Sequence, residues 1–291
     1  MNILHLLKLE YIKFRYSAII KFLLLLFVVL FPFLILGGKD IFVNVPPPLP
    51  SNSVFYEFPT VWEYQGYIGN WLLFFFVGFI GIFIVTNEVT FKTLRQNIIT
   101  GLTRQEYFMG KLLMIITLAI ISTIIYAVSS IIIGLIHTPG ADMALIFDNN
   151  WSITKFFLMA MGYLSFGLFI GFLIRRSGLA TFFYLAYIMF LEPIIKWSIF
   201  GVLNWDTLQD VVDSGPEGGV SVYNFVNYLP MNVIEDLHPN PFFRFPDNFL
   251  KGNDDINYDI LITHEAAIIG SVIYISLFIF LAYKSFMSRD I

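Results

Sequence analysis

The sequence predicts an all-α polytopic membrane protein of six transmembrane helices. Three observations carry that prediction. The composition is 57% hydrophobic and 13% charged over 291 residues, against about 25% charged in an average soluble domain. Six apolar runs have the length a bilayer requires. The Lys and Arg residues gather in the connections of one side. A soluble chain this apolar could not cover its surface with polar groups. The same figures exclude other classes: the net charge of −4 and pI near 5.5 speak against a nucleic-acid binder. With no Cys there is neither a disulfide scaffold, a thiolate metal site nor a lipoprotein anchor.

The elements follow in order. Residues 2–16 place Ile3, Leu6, Leu7, Leu9 and Phe14 among Lys8, Glu10, Lys13 and Arg15, which reads as an amphipathic helix lying in the membrane surface with its cations toward lipid headgroups. A core of ~30 Å needs about 20 mostly apolar residues per helix. The runs that satisfy this are about 18–36, 65–86, 107–136, 156–174, 179–200 and 265–283, within a single domain spanning 1–291. The first run follows Lys8, Lys13 and Arg15 and carries Lys21 near its start, but lacks a small-x-small cleavage pattern after Leu36, so it reads as a retained span rather than a signal sequence.

With six spans both termini share a side, and that side carries 12 of the 17 basic residues. The positive-inside bias therefore places both termini in the cytoplasm. Trp62, Trp71, Trp151 and Trp197 fall where the spans should meet the outer interface. Outside, Pro46-Pro47-Pro48-Leu49-Pro50 reads as a stiff spacer. The segment 201–262 combines acids (Asp206, Asp210, Asp213, Glu217, Asp254, Asp255, Asp259), a turn-rich break at 215–219, an apolar stretch at 220–229 and an aromatic run from Phe242 to Phe249.

The connection between spans two and three is the most informative stretch. Phe91, Leu94, Ile98 and Leu102 are spaced 3, 4 and 4, one face of a helix. Gly101 stands where a helix end wants a positive φ, and Thr103 with Glu106 forms a T-x-x-E capping box opening the third span. A short amphipathic helix is thus expected against the inner membrane surface, either gripped by another protein or passively interfacial.

Glu88, Thr93, Arg95, the run Gly101-Leu102-Thr103-Arg104 and Lys111 resemble the signature of ATP-binding cassette (ABC) type-2 permeases, the ABCG-like exporter fold. Lys92 departs from it, standing where the family often has Gly. The resemblance extends to the N-terminal helix, the six spans, Tyr228-Leu229-Pro230 before the last span and the tail Phe286-Met287-Ser288-Arg289-Asp290. It implies a multi-pass permease subunit of the inner membrane, acting as a dimer with itself or a sister permease and served by a separate cytoplasmic ATPase. In this reading the coupling helix draws on Glu88, Phe91, Lys92, Thr93, Leu94, Arg95, Ile98, Gly101, Thr103 and Arg104, with Leu94, Arg95 and Ile98 in contact with that ATPase. ATP and Mg belong to the partner, since no G-x-x-x-x-G-K-[ST] loop is present: Gly110-Lys111 is followed by Leu112, and position 105 is Gln105. The chain is then not itself an enzyme and needs no cofactor or metal. The rival reading is a non-transporting scaffold that anchors an extracytoplasmic assembly.

Other candidate chemistry is thin. Glu192 is the one acid well inside a span, ~24 Å along a helix from Arg176 at 1.5 Å per residue. Lys196 stands at i+4 and Pro193 loosens the helix between them. Two readings stay open: a satisfied pair at the outer rim, or a gating pair. His264-Glu265 lacks the second His of a metalloprotease motif, because Ile268 occupies that place. Ser165, among Gly162, Gly167 and Gly171, reads as helix packing.

Overall fold

The computed structural model describes residues 3–41, 55–205, 209, 225–239 and 262–289. The Pro46–Pro50 spacer, the 215–219 break, the acids at 206, 210, 213, 217, 254, 255 and 259, the aromatic run at 242–249 and the first half of the 220–229 stretch lie outside them.

All regular structure among the described residues is helical. The N-terminal helix α1 (Ile3–Tyr16) breaks for one residue at Ser17 and continues as α2 (Ala18–Ile41). The second span is α3 (Val61–Leu72), one π-helical turn at Leu73–Val77, and α4 (Gly78–Thr90). A short helix α5 (Thr93–Ile99) leads to α6 (Arg104–His137), then α7 (Met143–Ile146) and α8 (Trp151–Ile174). The fifth span repeats the π-turn device: α9 (Ser177–Ala186), a turn at Tyr187–Leu191 and α10 (Glu192–Leu203). A 3₁₀ turn at Phe225–Tyr228, the short α11 (Pro230–Glu235) and the last span α12 (His264–Met287) complete the order. Among the described residues, six stretches are long and apolar enough to cross a membrane: Ala18–Gly37, Val61–Thr90, Arg104–His137, Met143–Ile174, Ser177–Leu203 and His264–Met287.

The fourth span is the centre of the bundle, with α4, α6 and α12 packed around it. Its most apolar window is 72% buried, against 22% for the first and fifth spans. Small residues make the close approach to α4: a Cβ on Gly167 would stand 2.3 Å from the Gly78 carbonyl oxygen, so only Gly lets the two backbones meet. The glycines around Ser165 therefore serve packing, and Ser165 itself donates to the Gly162 carbonyl at 3.0 Å.

The π turns were not legible in the sequence, and each has a local cause. In span two the Gly78 amide reaches back to Leu73, while the Phe74 carbonyl accepts the Tyr184 hydroxyl of span five at 3.1 Å. In span five the turn directly precedes Glu192-Pro193, where Pro has no N–H to continue the regular ladder.

One expected interface aromatic is placed differently. Trp71, Trp151 and Trp197 are exposed, but Trp62 is fully buried. Its indole N–H donates to the Ile146 carbonyl at 3.0 Å, and Tyr126 donates to the Trp62 carbonyl at 2.7 Å. The α7 segment folds over the start of α3, so an indole that would otherwise meet the interface finds its partner inside.

Candidate functional site

One end of the bundle collects α1, the end of α4, α5, the start of α6 and the C-terminal turn of α12. We refer to it as the connector end. Its geometry begins with a chain reversal. Lys92 adopts φ 58° and stops α4, so α5 starts in a new direction at Thr93. At the other end of α5, Gly101 has φ 111°, the left-handed conformation that costs Gly nothing. Thr103 then caps α6: its hydroxyl accepts from the Glu106 amide at 3.2 Å, and Glu106 accepts from the Thr103 amide at 3.0 Å.

The break at Lys92 corrects the expected face of α5. Leu94 points inward and is buried, and Ile98 and Leu102 pack partly against the core. Phe91, expected on that same stripe, is 72% exposed, because it belongs to the end of α4 and the reversal turns it outward. The outward surface includes Phe91, Lys92, Arg95, Gln96, Ile99 and Thr100, and Ile99 is 75% exposed. Leu94 and Ile98 are therefore anchors to their own chain, which leaves Arg95 alone of the three expected contacts facing out. Ile99 falls off the 3-4-4 stripe, so periodicity carries no signal for it.

The remaining members of the expected set shape this end from within. Thr93 donates to the Glu88 carbonyl at 3.3 Å. Arg104 donates to the Met287 and Arg289 carbonyls at 3.2 and 3.1 Å, and Arg289 to the Leu173 carbonyl at 2.6 Å. The C-terminal turn is thereby pinned beneath the start of α6.

Glu88 belongs to a buried ionic cluster. Lys111 is 1% exposed and donates to both Glu88 and Glu10, the latter at 2.6 Å. Lys13 donates to Glu10 at 2.7 Å and lies 3.2 Å from Glu88. Both lysines also stand over the Tyr107 ring, 5.0 and 5.4 Å from its centre. From α5, Asn97 donates to Glu88 at 3.3 Å. Burial pushes the Glu10 carboxyl up, but Lys111 and Lys13 outweigh it and hold the group below its ordinary value.

This cluster corrects the reading of α1. Its cations are expected to face headgroups, yet Lys13 pairs with Glu10, which is 6% exposed and shares the inward face with Leu6. A lysine enclosed at the start of a span requires carboxylates, and Glu10 is the second of them. The sequence held one signal for it: an acid one helical turn from Leu6, on the apolar side of the stripe.

At the opposite end, Glu192 and Lys196 form no direct ion pair. Glu192 accepts the backbone amides of Met231 and Asn232 at 2.7 and 2.8 Å, while Lys196 donates to the Asn232 side-chain oxygen. Both address the start of α11, whose orphan N–H groups attract a carboxylate more closely than Lys196 does. Asn232 in turn donates to the Asn227 carbonyl and to Asp236. The Glu235 carboxyl is pushed up to about 7 by burial, then by repulsion from Glu192 and Asp236, with Lys196 offsetting part of the rise.

No curated protein matches the chain. The family described as "ABC-2 family transporter protein" matches residues 4–291, from the first turn of α1 through the C-terminus. The chain is thus a transmembrane transport protein that belongs to the ABC-2 family.

Proposed function

We propose that this chain is the permease subunit of an ATP-driven exporter, coupling ATP hydrolysis by a separate cytoplasmic ATPase to movement of its spans. In this reading the connector end and both termini are cytoplasmic, consistent with 12 of 17 basic residues on that side. ATP and Mg are held by the ATPase. Two permease copies, or this chain and a sister permease, complete the assembly in the inner membrane.

The observation that carries the proposal is the two-sidedness of α5. Outward, α5 offers Arg95 and Ile99, beside the exposed Phe91 and Lys92 of the preceding turn. Inward it is fastened through the buried Leu94, with Ile98 and Leu102 packed partly against the core. A helix gripped on one face and packed against the core on the other transmits displacement instead of absorbing it. Phe91 and Ile99 are also costly to leave in water, and a partner surface relieves that cost.

The test is recovery of the chain from native membranes in mild detergent, followed by measurement of ATPase activity. A P-loop ATPase that copurifies with the wild type, and is lost from the doubly substituted Arg95→Glu, Ile99→Asp chain, supports the proposal. Equal recovery with both chains overturns it.

A further inference from the structure

A groove of about 600 Å³ opens between α1, the start of α2, the end of α4 and α5, within the ~300–1,000 Å³ of small-molecule sites. Its floor holds Glu10, Lys13, Glu88 and Lys111, and its walls include Phe14, Ile20 and Phe83. We propose that the groove seats one membrane phospholipid whose headgroup carries both a phosphate and a primary ammonium.

Its position is the first argument. The groove reaches Tyr16, Ser17 and Ala18, where the surface helix α1 becomes the spanning helix α2. That is the depth of the headgroup layer, and the apolar walls run from there along spans one and two. Ile19, 48% exposed at the start of α2, forms the lip through which an acyl chain enters.

Charge is the second argument. The floor carries two acids and two lysines, so it has no net charge. A zwitterion enters without leaving an uncompensated charge, whereas an anionic lipid adds one in a partly desolvated place. The rim has bonding capacity left. Lys13 reaches the Glu88 Oε2 atom only at 3.4 Å, Asn97 reaches it at 3.3 Å, and Asn87 reaches the Ser17 hydroxyl at 3.5 Å. These bonds are long beside the 2.6–2.7 Å contacts to Glu10 and sit past the usual N–H···O range. Lys13 keeps its 2.7 Å bond to Glu10 and, with three N–H donors and a side chain 29% exposed, has one left for a phosphate, which Asn87 can turn to meet. Glu88 Oε2, with two long bonds, keeps acceptor room for an ammonium.

The proposal needs no ATPase, so its test uses the purified full-length chain alone. Native mass spectrometry with added phosphatidylethanolamine, phosphatidylcholine and phosphatidylglycerol compares the bound lipid directly. The expected result is one phosphatidylethanolamine per chain, preferred about tenfold over each of the others. Lys13→Ala with Asn87→Ala should erase the preference, and Lys13→Arg should retain it. Equal binding of the three lipids by the wild type, or preference for phosphatidylglycerol, overturns the proposal without reference to how either variant folds.

Discussion

Lys111 Nζ lies 2.6 Å from Glu10 Oε2, joining the third span to the N-terminal surface helix across 101 residues of sequence. The side chain of Lys111 is 1% exposed, so its charge is solvated by protein groups. Lys111 keeps Glu88 when Glu10 is removed, but two lysines then share one carboxylate, and a buried excess charge of this kind costs up to about 3–5 kcal/mol. Glu10→Ala is therefore expected to lower the thermal midpoint of the purified chain by several degrees. The double substitution Glu10→Ala, Lys111→Met should restore part of that loss, and a thermal-shift measurement in detergent decides it.

The same contact makes α1 docking acid-sensitive. The folded Glu10 carboxyl titrates below its ordinary value of 4.5. Its contribution is fully present above that value and is lost as pH falls through the lower, folded one. A nitroxide on Tyr11→Cys reads this cleanly, because the chain has no other cysteine and Tyr11 is exposed. Mobility should rise only at pH below about 4.5, and Glu10→Gln should show high mobility at neutral pH as well.

On α5 the two faces should separate by substitution. Arg95→Glu and Ile99→Asp alter exposed side chains and should change stability by no more than about 0.5 kcal/mol. Each is nonetheless expected to weaken ATPase association by about 2 kcal/mol if it sits at the centre of the contact. Leu94→Asp buries a charge and should destabilise the connector end itself. Protease resistance measured beside ATPase binding distinguishes the two outcomes.

Gly167→Val tests the closest helix approach in the bundle. The new side chain would meet backbone, which cannot rotate away, and overpacking of this kind costs about 1–3 kcal/mol or more. A fall in folded yield after membrane extraction is the expected result, while Ser165→Ala, which removes one hydroxyl, should be recovered near wild-type levels.

At the opposite end, Glu235 titrates at about 7. An acid whose folded value is raised is favourable in its protonated form, so stability is highest at low pH and declines as pH rises toward and through 7. Glu235→Gln should remove that decline. Comparing thermal midpoints at pH 5 and pH 8 checks it: the variant gains on the wild type only at pH 8.

Much of this architecture was legible along the chain. Uninterrupted apolar runs identify spans because lipid leaves helices few alternatives, and Thr103-x-x-Glu106 and Gly101 act through bonds and torsions within a few residues of themselves. The apolar stripe of Phe91, Leu94, Ile98 and Leu102 does not survive whole, since one left-handed residue, Lys92, turns Phe91 off it. Periodicity assumes an unbroken helix. The Glu192–Lys196 spacing was equally visible, but a competitor 39 residues downstream, the amide of Met231, took the carboxylate.

By itself, then, the sequence determined the number of spans, their lipid-facing character, the polarity of basic residues between the two sides and the local caps. These follow from solvent transfer and short-range bonding, which depend on composition and near neighbours. Tertiary structure alone decided that Glu10 and Lys13 turn inward, that Trp62 is buried, and that α5 presents Arg95 and Ile99 while Leu94 anchors it. Each of those outcomes depends on which distant group arrives to satisfy a buried charge, donor or apolar surface. For Lys111 the answer came from a helix some hundred residues earlier, a distance at which spacing carries no information.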